Sequence, residues 1–314
     1  MGNQTKHILL GAGGAIGSTL ANELLANNES VKLVSRSEHI LHNTESAKAD
    51  LTILNDVNNV VEENSIVYLL AGLQYNINIW RELWPKIMTN TIEACKSKNA
   101  RLIFFDNVYS YGKVNGIMTE QTSFNPCSKK GEVRAKLNEQ LLDEMKNNNI
   151  TAMITRSADF YGPYSDKGSI PYNLVFKNLA KDKRAQCLAN VKTKHSYTYV
   201  PDCGKALYLL SKTDSAFNQT WHMPTANPVL TNEEFIKIVA QKLEVEPKYM
   251  LLKKWMIKLT GIFNGTIKEI YEMLYQNEFD YIFDSSKFEK QFNFTPTPYE
   301  KGIEDTINHY HLKK

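Results

Sequence analysis

Three glycines at three-residue intervals, Gly11, Gly14 and Gly17 in "GAGGAIG", are the first residues whose spacing can serve chemistry. The apolar run Ile8 to Leu10 precedes them, and Ile16, Leu20 and Leu24 follow at helical spacing. Strand, glycine turn and helix in that order form a cradle for a pyrophosphate. Gly11 permits the tight turn, Gly14 lets backbone approach the phosphates, and Gly17 lets helix and strand pack closely, while free N–H groups at the helix start draw the anion. Ala15 and Ile16 complete the binding turn. About 20 residues further on, where a carboxylate would hold an adenosine ribose, the run "VKLVSRS" ends in Ser35, Arg36 and Ser37. A guanidinium between two hydroxyls suits a 2′-phosphate, which favours NADP over NAD. The plainer alternative is that Arg36 stacks on adenine or caps a following helix.

Proton chemistry has two candidate sources. In "DNVYSYG" an apolar strand runs into a loop carrying Asp106, Asn107 and Tyr109, and a loop past a strand end points into the ligand cleft. In "KKGEVRAKLNEQLLDEM", Val133, Leu137, Leu141 and Met145 repeat every four residues, so this is a helix with one buried stripe, and Lys130 and Arg134 lie one turn apart. Lysine trades protons near neutral pH only where burial or an adjacent cation disfavours its charge, and arginine stays protonated. The expectation is that Tyr109 and Lys130 share proton handling while Arg134 bonds cofactor ribose hydroxyls. Against it stand two plainer readings: Lys129 and Lys130 as exposed loop lysines, and Tyr109 as a packed aromatic.

These residues need strands and helices to position them. "SIVYLLAG" (65–72) and "ARLIFFDNVYSYG" (100–112) read as buried strands, with a helix between them that turns Ile87, Thr91, Ala94 and Cys95 to one side. The alternation indicates an α/β Rossmann fold, a doubly wound parallel sheet. After "RSADFYGPYSDKG" the sheet pattern lapses, returning in "KHSYTYVPDCGKALYLLSK" and "FNQTWHMP". Residues 1–165 and 191–226 are expected to form the dinucleotide domain, and 166–190 with 227–314 a smaller, mainly helical substrate lobe. Thr231 and Glu234 make a capping box at one of its helices. The aromatic and methionine-rich stretch from Leu251 to Phe283 reads as core-packing or dimer-facing helix, which leaves a homodimer open.

These motifs together resemble the extended short-chain dehydrogenase/reductase family, which includes nucleotide-sugar epimerases and dehydratases. "GAGGAIG" is similar to its glycine motif, "FYGP" (160–163) to its Y-G-P and "YTYVPDCGKAL" to its V-x-D helix entry. The resemblance implies that Asp50 and Leu51 contact adenine, that Ala71 and Gly72 line the cofactor, that Asn90 is the family's helical asparagine, and that Asp202 anchors the substrate-side loop. Alignment also puts Asn107 at the usual catalytic serine, Lys130 at the usual tyrosine and Arg134 at the usual lysine, so the customary Tyr-x-x-x-Lys pair is missing. The expected function is an NADP-dependent oxidoreductase or epimerase-like enzyme acting on a small hydroxyl or carbonyl compound, sugar derivatives among them. The rival is an NADP-binding regulatory protein without turnover, as in relatives that lack the tyrosine.

Composition narrows the partners. With 37 basic and 34 acidic residues in 314, the net charge of +3 is too small and dispersed to predict a nucleic-acid groove or a membrane patch. Cys95, Cys127, Cys187 and Cys203 form no C-x-x-C pair, and His195, His222 and His309 have no ligand spacing, so no metal site is expected. The apolar run near the N-terminus is too short for a signal peptide and no run of 18 apolar residues exists, so a cytoplasmic setting is expected.

Overall fold

The computed structural model describes residues 5–37, 40–263 and 265–313. Its strands are β1 (Lys6–Leu10), β2 (Ser30–Ser35), β3 (Glu45–Lys48), β4 (Ile66–Leu69), β5 (Arg101–Asp106), β6 (Ile117–Met118), β7 (Ala152–Arg156), β8 (Asp159–Tyr161), β9 (Ala185–Leu188), β10 (Tyr197–Tyr199), β11 (Thr220–His222), β12 (Tyr249–Leu252) and β13 (Ile282–Phe283). The helices used below are α1 (Ala15–Ala26), α2 (Leu54–Val60), α3 (Ile77–Ser97), α4 (Lys129–Lys146), α5 (Lys177–Leu179), α6 (Val200–Ser211), α7 (Asn232–Leu243) and α8 (Lys254–Phe263).

Among the described residues seven strands make the main sheet, in the order β11-β7-β5-β4-β1-β2-β3. The pairs from β3 through β7 are parallel. The chain starts mid-sheet at β1, builds β2 and β3 on one side, then crosses to β4 on the other, so the strand order reverses between β1 and β4. Such a reversal opens a ligand crevice at the carboxyl ends of the strands. β4 and β7 are buried along their whole length, as is β1 after Lys6, which is why they read as continuous apolar runs.

The helices follow the same logic. Trp80, Trp84, Ile87, Thr91, Ala94 and Cys95 form the buried stripe of α3, and Val133, Leu137, Leu141 and Met145 that of α4. Each fully buried aliphatic side chain contributes roughly 1.5–3 kcal/mol.

The chain packs as two compact units. The first holds residues up to Ser110, Lys130–Arg156 and Cys203–Trp221; the second holds Tyr111–Lys129, Ser157–Asp202 and the residues from His222 onward. The expected boundaries divide the chain differently, since 111–129, 157–165, 191–202 and 222–226 go with the second unit, which matches the first in size. The reason is a pairing remote in sequence: β8 and β10 run parallel, Tyr197 beside Asp159 and Tyr199 beside Tyr161. Around that pair Tyr161, Tyr197, Tyr199, Phe235 and Tyr299 make an aromatic core. The capping box of Thr231 and Glu234 is present at the start of α7. No helix of the described residues is long and apolar enough to cross a membrane.

Candidate active site

The chain turns as soon as β1 ends: the Gly11 and Ala12 N–H groups both donate to the Val34 carbonyl, at 2.8 and 3.2 Å. Gly11 has φ +88°, and a Cβ there would lie 2.5 Å from the Ala71 Cα, so a side chain would drive β1 and the end of β4 apart. Gly17 is as confined, with the Ala12 carbonyl oxygen 2.3 Å from where its Cβ would be. Gly13, Gly14 and Gly72 are the opposite: all three are exposed, and a Cβ on any of them would meet nothing within 4 Å. Gly14 caps α1 without a side-chain hydrogen bond, and α1 has no acidic residue in its first turn. Open backbone at an acid-free helix N-terminus fits a pyrophosphate. Ala15 and Ile16 are buried in that first turn.

Ser35 closes β2, and Arg36 and Ser37 follow, both exposed. The Ser35 hydroxyl donates to the Ser37 carbonyl, which holds this bend. One strand over, Asp50 and Leu51 follow β3. Asp50 Oδ1 accepts from the Thr52 N–H at 2.9 Å and the Thr52 hydroxyl at 2.7 Å. Those bonds, with the Arg36 guanidinium as a weaker contributor, hold the Asp50 carboxyl below its ordinary pKa. Asn90 on α3 donates to the Leu51 carbonyl at 3.0 Å and so fixes the loop that carries Asp50.

The corner beyond β5 is built differently. Asn107 Oδ1 accepts from the Tyr109 N–H at 2.9 Å and bends the chain into a 3-10 turn, Tyr109–Tyr111. The half-buried Tyr109 ring stacks on Trp80, with centroids 6.3 Å apart and planes at 17°. Lys130 is fully buried, its Nζ 4.5 Å from the centre of the Tyr75 ring, so the exposed-loop alternative does not hold. Arg134 also turns inward: Nε lies 2.8 Å from Asp106 Oδ1, and the guanidinium carbon lies 4.3 Å from the Trp84 ring centre and 5.3 Å from that of Phe104. Asn138 donates to Asp106 Oδ2 at 2.6 Å and accepts from Arg156 Nη2 at 2.8 Å. Burial pulls the Arg134 guanidinium below its ordinary pKa, and the Asp106 charge opposes that. A buried carboxylate needs cations, and Arg134 is one that serves Asp106.

In the second unit, Asp202 accepts from the Thr297 N–H at 2.7 Å and the Thr297 hydroxyl at 2.9 Å, holding a loop as an anchor would. His222 is buried between the Tyr111 hydroxyl at 2.8 Å and the Asp284 carbonyl at 2.7 Å, and His195 lies 3.0 Å from Asp159. No group of three metal-ligating side chains occurs among the described residues.

The sequence model of the NAD dependent epimerase/dehydratase family matches residues 7–221, which takes in the glycine turn, the β5 corner and the sheet through β11. The chain belongs to this family. Among solved structures it is similar to a UDP-glucose 4-epimerase from Thermus thermophilus in complex with NAD, with TM-score 0.79 and 16% identity over 98% of this chain and 99% of that one. It is also similar to a dTDP-glucose 4,6-dehydratase from Streptomyces venezuelae with NAD and TYD bound, with TM-score 0.80 and 15% identity over 98% and 97%. A third is a UDP-glucose 4-epimerase from Thermotoga maritima with UDP-glucose, with TM-score 0.78 and 17% identity over 98% and 99%. At such identities the likeness is one of fold. Among curated proteins no sequence match is found.

The epimerase/dehydratase family to which the chain belongs is one of NAD-dependent enzymes. Sequence reasoning overlooked Tyr75, Trp80 and Trp84, which close around the two α4 cations, and Asn138 and Arg156, which complete the Asp106 cluster. A signal existed for two of them: Trp80 and Trp84 continue the Ile87–Thr91–Cys95 stripe backward by one and two helical turns.

Proposed function

We propose that this protein uses NADP to oxidise, reduce or epimerise a small hydroxyl or carbonyl compound, sugar derivatives among them. The observation that carries this reading is Arg36, exposed at the carboxyl end of β2 where an NAD-binding site has a carboxylate, alongside the open backbone of Gly13 and Gly14. The two structural neighbours named above with bound cofactor hold NAD; Arg36 argues for the 2′-phosphorylated form in this chain. Gly11, Gly14, Ala15, Ile16 and Gly17 form the pyrophosphate turn, Ser35, Arg36 and Ser37 meet the 2′-phosphate, and Asp50 and Leu51 face adenine. Ala71, Gly72 and Asn90 line or brace the same crevice. A bound nicotinamide supplies or accepts the hydride.

Proton handling falls first to Tyr109, half-exposed past β5 and steadied by Asn107. It takes the proton of a hydroxyl being oxidised or returns one to a carbonyl being reduced. Lys130, packed against the Tyr75 ring, shares that proton handling. Arg134 braces the corner through Asp106, and its remaining guanidinium nitrogens are the expected donors to the cofactor ribose.

The enclosure of Lys130 and Arg134 favours a second reading, a cofactor-binding protein without turnover. NADPH oxidation measured across a panel of sugars and carbonyl compounds separates the two. Turnover with one substrate, lowered at least tenfold in Tyr109→Phe, supports the enzyme. Unchanged turnover in both Tyr109→Phe and Lys130→Ala sinks the proton-transfer assignment, and NADPH binding with no oxidation across the panel supports the second reading.

A further inference from the structure

In the second unit, α8 presents a surface that neither the cofactor turn nor the β5 corner uses. Trp255 and Leu259 are one helical turn apart and so share one side of α8, while Ile257 and Gly261 are buried on the other. Trp255 is 61% exposed and Leu259 is 54% exposed. Trp80, Trp84 and Trp221 are at most 5% exposed, which leaves Trp255 as the one indole of this chain in water.

Lysines predominate around this ridge. Lys248, Lys253, Lys254, Lys258 and Lys268 are all exposed, and no Asp or Glu occurs between Glu246 and Glu269. Lys254 pairs with Glu278 at 2.9 Å; among the described residues the other four have no ion pair. Glu269 follows Lys268 directly, and Glu233 accepts from the Tyr249 hydroxyl at 3.4 Å.

Three arguments select the occupant. A second copy docked through this face about a two-fold axis would set lysines against lysines. A protein partner needs roughly 800 Å² of buried surface on each side for a stable interface, far more apolar area than one tryptophan and one leucine offer. A lipid surface needs no complementary relief: indole settles at the headgroup level, and lysine stems lie along the apolar layer while their ammonium heads reach phosphate.

We propose that α8 docks this protein on an anionic lipid surface, with Trp255 and Leu259 entering the interfacial layer and Lys253 and Lys258 meeting the phosphates. The sequence-based expectation of no membrane contact rested on a net charge of +3 read as small and dispersed. The local pattern decides the matter, because charge acts over about one Debye length, near 8 Å at physiological salt.

The test mixes the full-length protein with vesicles of pure phosphatidylcholine and of phosphatidylcholine with phosphatidylglycerol, following co-sedimentation and tryptophan emission. The expected result is binding to the anionic vesicles, a blue shift in emission, and weakening by salt. Trp255→Ser is expected to abolish the shift, and Lys253→Glu with Lys258→Glu to lower the partition coefficient roughly tenfold or more. Circular dichroism checks that each exposed variant stays folded. No binding, equal binding to neutral vesicles, or binding without an emission shift would overturn the proposal. So would concentration-dependent dimerisation lost in Trp255→Ser, which would make the occupant a second copy.

Discussion

The glycine turn after β1 and the cation corner after β5 sit at the carboxyl ends of the two strands that flank β4, yet one is open and the other filled. Around Gly13, Gly14 and Gly72 there is room for a ligand against bare backbone. Around Lys130 and Arg134 the space is taken by Tyr75, Trp80, Trp84 and Phe104. The contrast teaches that cofactor binding and proton transfer are separable in this fold. On the proposed reading, bare backbone serves the first, whereas the second rests on side chains at the β5 corner and the start of α4.

The largest expected effect breaks the filled corner. Asp106→Ala leaves Arg134 and Arg156 without their buried anion and is expected to cost about 3–5 kcal/mol in urea unfolding. A loss below about 1 kcal/mol would mean that aromatic packing alone holds the corner.

The opposite end of β1 offers the next test. His7 is buried, with Nδ1 2.8 Å from the Tyr68 hydroxyl and Nε2 3.4 Å from Glu29, and burial pulls its pKa down from 6.5 to about 4. Because the folded state resists protonation there, its contribution is fully present above pH 6.5 and is lost as pH falls from 6.5 towards 4. The expected loss is about 3 kcal/mol between pH 7 and pH 4, and His7→Gln should flatten that part of the stability profile.

Two glycine substitutions then sharpen the distinction within the open region. Gly11→Ala puts a methyl into Ala71 at positive φ and should destabilise by about 2 kcal/mol in thermal unfolding. Gly14→Ala should leave stability within about 0.5 kcal/mol, since its Cβ meets nothing, while weakening NADPH binding. Equal effects on stability would show that the two glycines do the same work.

Much of this organisation is legible in sequence because it is local. The glycine turn, the strand and helix alternation and the Thr231 cap each depend on residues within a few positions of one another. The direction of Arg134 is not local. Whether its guanidinium reaches a ligand or Asp106 depends on how α4 lies on β5, and the neighbouring "DNVYSYG" gives no sign of it. The division into units is non-local for a similar reason, since β8 and β10 pair residues 38 positions apart, Asp159 beside Tyr197, while each segment alone reads as part of the sheet domain. Lys130 and Trp255 show the same limit at single positions: a lysine pair read as surface contains a buried member, and in a stretch read as core-packing or dimer-facing helix the pattern does not say that Trp255 is exposed.

The central claim is that Arg36 makes this an NADP site. Cofactor fluorescence during titration of NADPH and NADH into wild-type protein and Arg36→Ala tests it directly. NADPH is expected to bind at least tenfold more tightly than NADH, with the preference lost in Arg36→Ala and NADH affinity little changed. Tighter binding of NADH by the wild type, or a preference for NADPH that survives loss of the guanidinium, would contradict it.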